Sequence, residues 1–301
     1  LSDWSSDVCS SDLAVNTSGG GAGSNAVSGG VTVTASGSIS GAGTISTGSA
    51  TADDASTGGT STTATSGSIS LTATGANVQL GKLTTGAATV SNVNEGASTD
   101  TATAGTISLS GASLGTSTGT PQTLALGSGT GGAASVGGLL NLTATAGNIF
   151  VSSDAALRVK DLTTQAATAN TVDIRTTGGK AIVFDSTGTY ANVSGSGTAN
   201  NGDAINVVTD TTGGTVTFNK ALDAGSITVS AGDAVVVNQN LSTTAVNTSG
   251  GGAGSNAVSG GVTLTAAGSI SGAGTISTGS ATADDASTGG TSTTANSGSI
   301  S

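Results

Sequence analysis

Residues 14–70 return as residues 245–301 with three changes, Val33 to Leu264, Ser36 to Ala267 and Thr65 to Asn296, at a constant offset of 231 residues. A fold that wraps distant segments around one closed core has no place for such a copy. A fold that stacks like units in a row does. The chain therefore divides into one complete long repeat, 14–244, and the opening of the next, 245–301, and reads as a piece of a longer array.

The match ends abruptly at Ala14, because the second copy follows NQNLSTT and the first follows SDVCSSDL. Residues 3–13, DWSSDVCSSDL, resemble the in-frame translation of a sequencing-library adapter, so residues 1–13 are set aside as a non-native scar. They carry Trp4, Cys9, Asp3, Asp7 and Asp12. Without them the chain has no Cys, Trp, His or Met and a formal charge of −8, the −11 of the whole less three aspartates.

That composition narrows the function classes. No disulfide framework or thiol nucleophile is available. The six cations, Lys82, Arg158, Lys160, Arg175, Lys180 and Lys220, are scattered through an acidic chain, which is no footprint for nucleic acid. They form no polybasic patch for a membrane surface either, and no apolar run approaches the ~18 residues that span a bilayer.

Helix formers are scarce, with Glu95 the one glutamate and Gly every few residues. The apolar residues alternate instead. VTVTA starts at Val31, ISLTA at Ile69, ISLSG at Ile107, LNLTA at Leu140, VDIRT at Val172, VTFNK at Val216 and VTLTA at Val262. Each has the period-two pattern of a strand with one buried face. The steps between them are 38, 38, 33, 32, 44 and 46 residues, so about six shorter units build the long repeat, a period that marks a solenoid. Further short strands follow Gly and Asn corners, as LNLTATAG leads to NIFVSS and then LRVKDL, and three strands in ~20 to 25 residues suit one rung of a parallel β-helix. The expected fold is all-β, a parallel β-helix in which inward Val, Ile and Leu are buried and Gly/Ser/Thr-rich excursions leave the corners. The polar stretch 46–67 holds nothing apolar larger than Ala, and fits either a loop or polar strands continuing the ladder. Phe150, Phe184 and Phe218, spaced by 34 and 34, suggest an aromatic stack or ordinary core filling.

Motifs that could carry chemistry each lack a necessary part. GTSTG places Ser117 at the centre of a G-x-S-x-G elbow, but that elbow requires a histidine base. Gly127, Gly129 and Gly132, with Asp154 downstream, match G-x-G-x-x-G, yet a strand pattern follows where a helix must start. GGAGSNAV at 20–27 and 251–258 is close to a calcium-binding nonapeptide, with Asn25 and Asn256 in place of the carboxylate. Asp53–Asp54 and Asp284–Asp285 offer a weak exposed cation site. Asp173, Asp185, Asp203 and Asp210 are the acids from which a glycosidase pair would have to come. The outward Thr pairs, Thr32/Thr34 and Thr143/Thr145 among them, come at irregular intervals and need no more than a solvated strand face. Sequons at Asn16, Asn141, Asn192, Asn240 and Asn247 are what chance supplies in so Thr-rich a chain.

The phrases GSISLTATG, GSITVSAGDAVVV and GGVTLTAAGSISGAGTISTG resemble the passenger repeats of filamentous-haemagglutinin-like and autotransporter adhesins. The resemblance runs through nearly all of residues 14–301 and is one of style, short VTLTA-like strands between Gly/Ser/Thr turns. It implies a right-handed parallel β-helix, export by a two-partner or autotransporter route, and a location outside the cell or on the bacterial outer-membrane surface. The expected role is a structural and adhesive rod displaying binding loops to host, neighbouring-cell or matrix components, protein or glycan. No catalytic residue, cofactor, metal, nucleic acid or membrane span is expected. The alternatives are a secreted β-helical carbohydrate-active enzyme, which needs Arg158, Lys160, Arg175 and several Asp to converge in one groove, and an unfolded low-complexity spacer.

Overall fold

The computed structural model describes residues 15–17, 25–53, 61–91, 100–132, 134–165, 169–194, 202–247, 256–283 and 294–301. These residues form strands and turns without a helix, and every ladder between strands is parallel. Two ladders carry the solenoid. One has nine strands, from Val31–Ala35 through Ile69–Ala73, Ile107–Gly111, Leu140–Ala144, Leu157–Thr163, Ile182–Ala191, Val216–Phe218 and Val235–Val237 to Ile270–Ser271. The other has eight, from Thr44–Ser46 through Lys82–Thr84, Gln122–Ala125, Ile149–Ser153, Thr171–Thr176, Ala204–Thr209 and Ser226–Ala231 to Val262–Ala266. In chain order the strands alternate between the ladders, which is the path of a parallel β-helix. The interior between them holds one continuous cluster, mostly of Ile, Leu, Val and Phe side chains.

Alternation explains the register. In the nine-stranded ladder Val31, Ile69, Ile107 and Leu140 stand one above another, with the next inward residues Val33, Leu71, Leu109 and Leu142 also in line. A slip of one residue would turn each such column outward. Each fully buried Ile or Leu contributes ~1.5–3 kcal/mol, so the columns add to the hold of the backbone ladder.

The assignment of strands to rungs differs from the sequence expectation. The seven alternating strands are not one equivalent position: Val31, Ile69, Ile107, Leu140 and Val216 lie in strands of the nine-stranded ladder, while Val172 and Val262 lie in strands of the eight-stranded one. Alternation reports a half-buried strand and is blind to which sheet holds it. In the same way LNLTA, IFVSS and LRVKDLT are not three strands of one rung, because the third returns to the first ladder and begins the next rung.

The polar stretch 46–67, open between loop and strand in the sequence, carries strands where it is described. Residues 54–60 lie outside the described set, but on either side Ala50–Asp53 and Thr63–Thr65 are strands. They do not pair with each other. Ala50–Asp53 belongs to a four-stranded ladder with Val15–Thr17, Ala88–Ser91 and Gly129–Thr130, and Thr63–Thr65 to a three-stranded one with Asn25–Val27 and Thr101–Thr103. These two ladders form a fin at one corner of the solenoid, with a second, separate core of Ala26, Ala50, Ala52, Ala64, Ala88, Val90 and Ala102. Small side chains let the layers approach closely, so residues that are too small to mark a core in the sequence nonetheless build one.

The neck of the fin depends on glycine and buried hydroxyls. A Cβ on Gly105 would sit 1.8 Å from the Gly67 carbonyl oxygen, so no larger residue fits. Around it the Thr47 hydroxyl donates to Gly67 O at 2.7 Å and the Ser66 hydroxyl to Gly86 O at 2.6 Å, while Gly105 N donates back to Ser66 Oγ at 2.7 Å. Polar groups that must turn out of the main ladder thus stay paired.

The repeat and the helix are out of step by half a turn. Val31–Ala35 lies in the nine-stranded ladder, whereas its copy Val262–Ala266 lies in the eight-stranded one. Alternating strands between them make seven and a half turns. The first fin leaves between Thr44–Ser46 and Ile69–Ala73; the second leaves after Ile276–Ser277, which still pairs with Leu241–Thr243, and returns at Ile300, which bridges to Val262. Successive fins therefore stand at opposite corners.

Candidate functional site

Where the first fin ends, the corner it occupied is closed by a tight turn. Ser153 accepts from Ala155 N at 3.0 Å through its hydroxyl, and the chain passes directly from Ile149–Ser153 into Leu157–Thr163. The step between fin and corner leaves a groove of ≈ 620 Å³. Thr85, Leu126 and Gly138 wall it from the fin; Asp154, Leu157, Arg158, Lys180 and Val183 line it from the following rungs. It is the natural candidate site, because it joins an apolar floor to a few polar groups.

Its charges are mostly spoken for. Lys82 Nζ lies 2.6 Å from Asp154 Oδ2, both partly exposed, a pair worth at most about 1 kcal/mol. Arg158 Nε pairs with Asp185 Oδ2. Lys180 forms no ion pair among the described residues, so the groove offers one unpartnered cation.

Asp185 sits where the Ile182–Ala191 strand bulges, the register passing from Val159 opposite Phe184 to Asp161 opposite Thr189. The Thr187 amide donates to its Oδ1 at 2.8 Å and the Thr187 hydroxyl at 2.6 Å. Burial pushes the Asp185 carboxyl up, but these bonds and Arg158 outweigh it and hold the group below its ordinary value. Tyr190 beyond the bulge is pushed up by burial and by the charges of Asp185 and Asp161.

The other candidate acids go elsewhere. Asp173, in the opposite ladder, pairs with Arg175, whose Nη2 donates to Oδ2 at 2.8 Å, and that hydrogen bond raises the arginine pKa. Asp203 is fully buried and accepts from Asn170 N at 2.8 Å; desolvation raises its pKa, with Thr164 and Asn170 opposing. Asp210 follows a strand end and accepts from the Thr212 hydroxyl at 2.6 Å and Gly179 N at 2.9 Å, which lower its pKa. Asp173 and Asp185 thus belong to opposite sheets, each with its own arginine, and Lys160 stands on the strand of Arg158, away from Arg175. Arg158 and Arg175 therefore do not share one groove, and among the described residues no three acids gather to hold a metal.

The remaining motifs are structural where they are described. Ser117 lies in an exposed turn, 2.9 Å from the Thr120 hydroxyl. Gly129 begins a fin strand and Gly132 has φ +74°, so the G-x-G-x-x-G stretch turns within a ladder instead of opening a helix. Asn25 accepts from the Thr63 hydroxyl at 2.8 Å, one rung up. Asp53 accepts from Ser91 at 3.3 Å; Asp54, Asp284, Asp285, residues 20–24 and residues 251–255 lie outside the described set. Phe150 faces outward between buried Ile149 and Val151 and is no part of an aromatic stack.

Asp100 escaped the sequence reading. Fully buried, it accepts from Thr62 N at 2.9 Å, as Asp203 does from Asn170 N. In both cases an Asp immediately before a strand accepts from the amide that precedes the paired strand one rung earlier, and that position was the available signal.

No family model, curated protein or solved structure matches the chain. Among the described residues no helix is long and apolar enough to cross a membrane.

Proposed function

We propose that the chain is a shaft segment of a large secreted or cell-surface bacterial repeat protein, in which the solenoid gives length and the fins meet host, neighbouring-cell or matrix components. The observation that carries this reading is the fin itself: its alanine core is sealed, and its outer strand positions, Thr51, Asp53, Thr63, Thr65, Thr89 and Ser91, face solvent in part. Polar contacts that are weak singly gain strength when a rod repeats them. Catalysis and cofactors have no part in this reading, and export to the outer-membrane surface comes with it.

The test is retention of beads coated with the full chain on cell layers, bacterial cells, purified matrix and glycan surfaces. Thr51→Ala, Thr63→Ala and Thr89→Ala together should abolish retention while circular dichroism stays unchanged. Retention on no surface, or retention indifferent to these changes, overturns the proposal. The groove beside Lys180 favours a second reading, in which a glycan lies in it. Its signature is retention on a glycan surface that Lys180→Ala removes and the fin variant keeps.

A further inference from the structure

The groove between fin and corner gathers positive charge in a chain that has little of it. Six cations stand against seventeen acids in the sequence. Arg158 and Lys180 line the groove, and Lys82 reaches its Asp154 from an earlier rung. Half of the cations thus border one cavity. Leu157 pairs with Ile182, which sets Arg158 on one rung and Lys180 at the entry to the next. The Lys180 carbonyl accepts from the Thr176 hydroxyl at 2.6 Å, and a Cβ on Gly214 would meet the same oxygen at 2.6 Å. The backbone that carries this ammonium group is therefore held from two sides.

The charges at the groove do not cancel. Asp154 is the one acid that lines it, and Lys82 Nζ already answers its carboxylate at 2.6 Å. Among the described residues Asp185 engages only the Nε of Arg158, whose side chain is 40% exposed and whose terminal nitrogens are further donors. Lys180 has no acid at all. What remains is positive, beside an apolar floor of Leu126, Leu157 and Val183 and an exposed Ser128. We infer that the groove takes an acidic sugar, with its carboxylate between Arg158 and Lys180 and the CH face of its ring on the floor. The inference rests on the reading that places a glycan here, and it adds the class of that glycan. A neutral sugar leaves the two cations unanswered, and a bare anion leaves the floor uncovered. The volume of ≈ 620 Å³ lies within the ~300–1,000 Å³ of small-ligand sites. Contacts to such exposed cations are weak singly and screened by salt, so a polymer that meets the groove on many rods gains most from it.

The test passes the full chain over a biosensor surface bearing short oligomers of glucuronic acid, and over the same oligomers as methyl esters, which keep the ring and lose the charge. The acid should bind about tenfold more tightly than the ester, and the gap should narrow as salt rises. Lys180→Ala should weaken binding of the acid about fivefold. Lys220→Ala, which removes a like charge from outside the groove, should leave it unchanged. Asp154→Asn removes an exposed carboxylate and frees Lys82, so it should tighten binding about threefold, a gain that a misfolded protein does not give. Equal binding of acid and ester, both lost in Lys180→Ala, would keep a glycan in the groove and overturn its acidic class. Binding of neither would overturn the glycan reading and this inference with it. Equal weakening by Lys220→Ala and Lys180→Ala would trace the effect to overall charge and overturn the inference as well.

Discussion

Phe184 and Phe218 lie in adjacent rungs of the nine-stranded ladder with ring centroids 4.7 Å apart and planes 15° from parallel, and Tyr190 meets Phe184 edge-on at 5.9 Å and 86°. Both phenylalanines are fully buried, so the pair anchors the stretch where the rungs are least alike. Phe184→Ala should cost about 3–5 kcal/mol, the usual price of an emptied aromatic site. Urea denaturation followed by far-ultraviolet circular dichroism measures it, and a loss below ~1 kcal/mol would show that the core there collapses around the gap.

The alanine fin should resist enlargement more than the main core does. Ala64 is 1% exposed and stacks between Ala26 and Ala102 in its ladder. Ala64→Leu has nowhere to put three extra carbons without parting the two layers, at a cost of about 1–3 kcal/mol. Because the fin core is separate from the main one, amide hydrogen exchange should accelerate at 63–65 and 101–103 and stay unchanged at 171–176 and 204–209. Acceleration in both regions would mean that fin and solenoid unfold as one.

The contrast between those two regions shows what the sequence can and cannot disclose. Columns such as Val31, Ile69 and Ile107 are legible because alternation of large apolar and polar residues is itself the physical cause of a one-faced strand. Ala50, Ala52 and Ala64 are buried just as deeply, but an alanine carries little transfer free energy and occurs freely on surfaces, so its burial leaves no pattern. The pairing of Phe184 with Phe218 follows the 34-residue spacing, yet Phe150 at the same spacing faces out, because rung lengths vary and equal spacing does not mean equal position. The groove beside Lys180 depends on where the fin stops, a fact of topology that no local stretch records.

Asp203 should make the protein less stable as pH rises through the range just above the ordinary carboxylate value. Its raised pKa means that the folded chain holds the proton more tightly than the unfolded chain. Stability from this group is therefore complete below the unfolded pKa and declines as pH rises to the folded one. Asp203→Asn keeps an acceptor for Asn170 N and removes the charge, so its melting temperature should change less with pH across that window than the parent's. Identical pH profiles would place the titration elsewhere.

The half-turn offset fixes a distance that no same-side arrangement can match. Thr63 and Thr294 are equivalent positions in the two fins, 231 residues apart in sequence. Seven and a half turns at ~4.8 Å per rung separate them by ~36 Å along the axis. If the fins stood at the same corner, that rise would be nearly the whole distance. Opposite corners add the width of the solenoid and the reach of both fins, roughly 35 Å for about eleven residues of strand at ~3.3 Å each, which brings the total to about 50 Å. Spin labels on Thr63→Cys and Thr294→Cys, with Cys9→Ser, allow double electron–electron resonance to separate the two cases. A distribution centred near 36 Å would place both fins on one side and require the second copy to enter the ladders where the first one did.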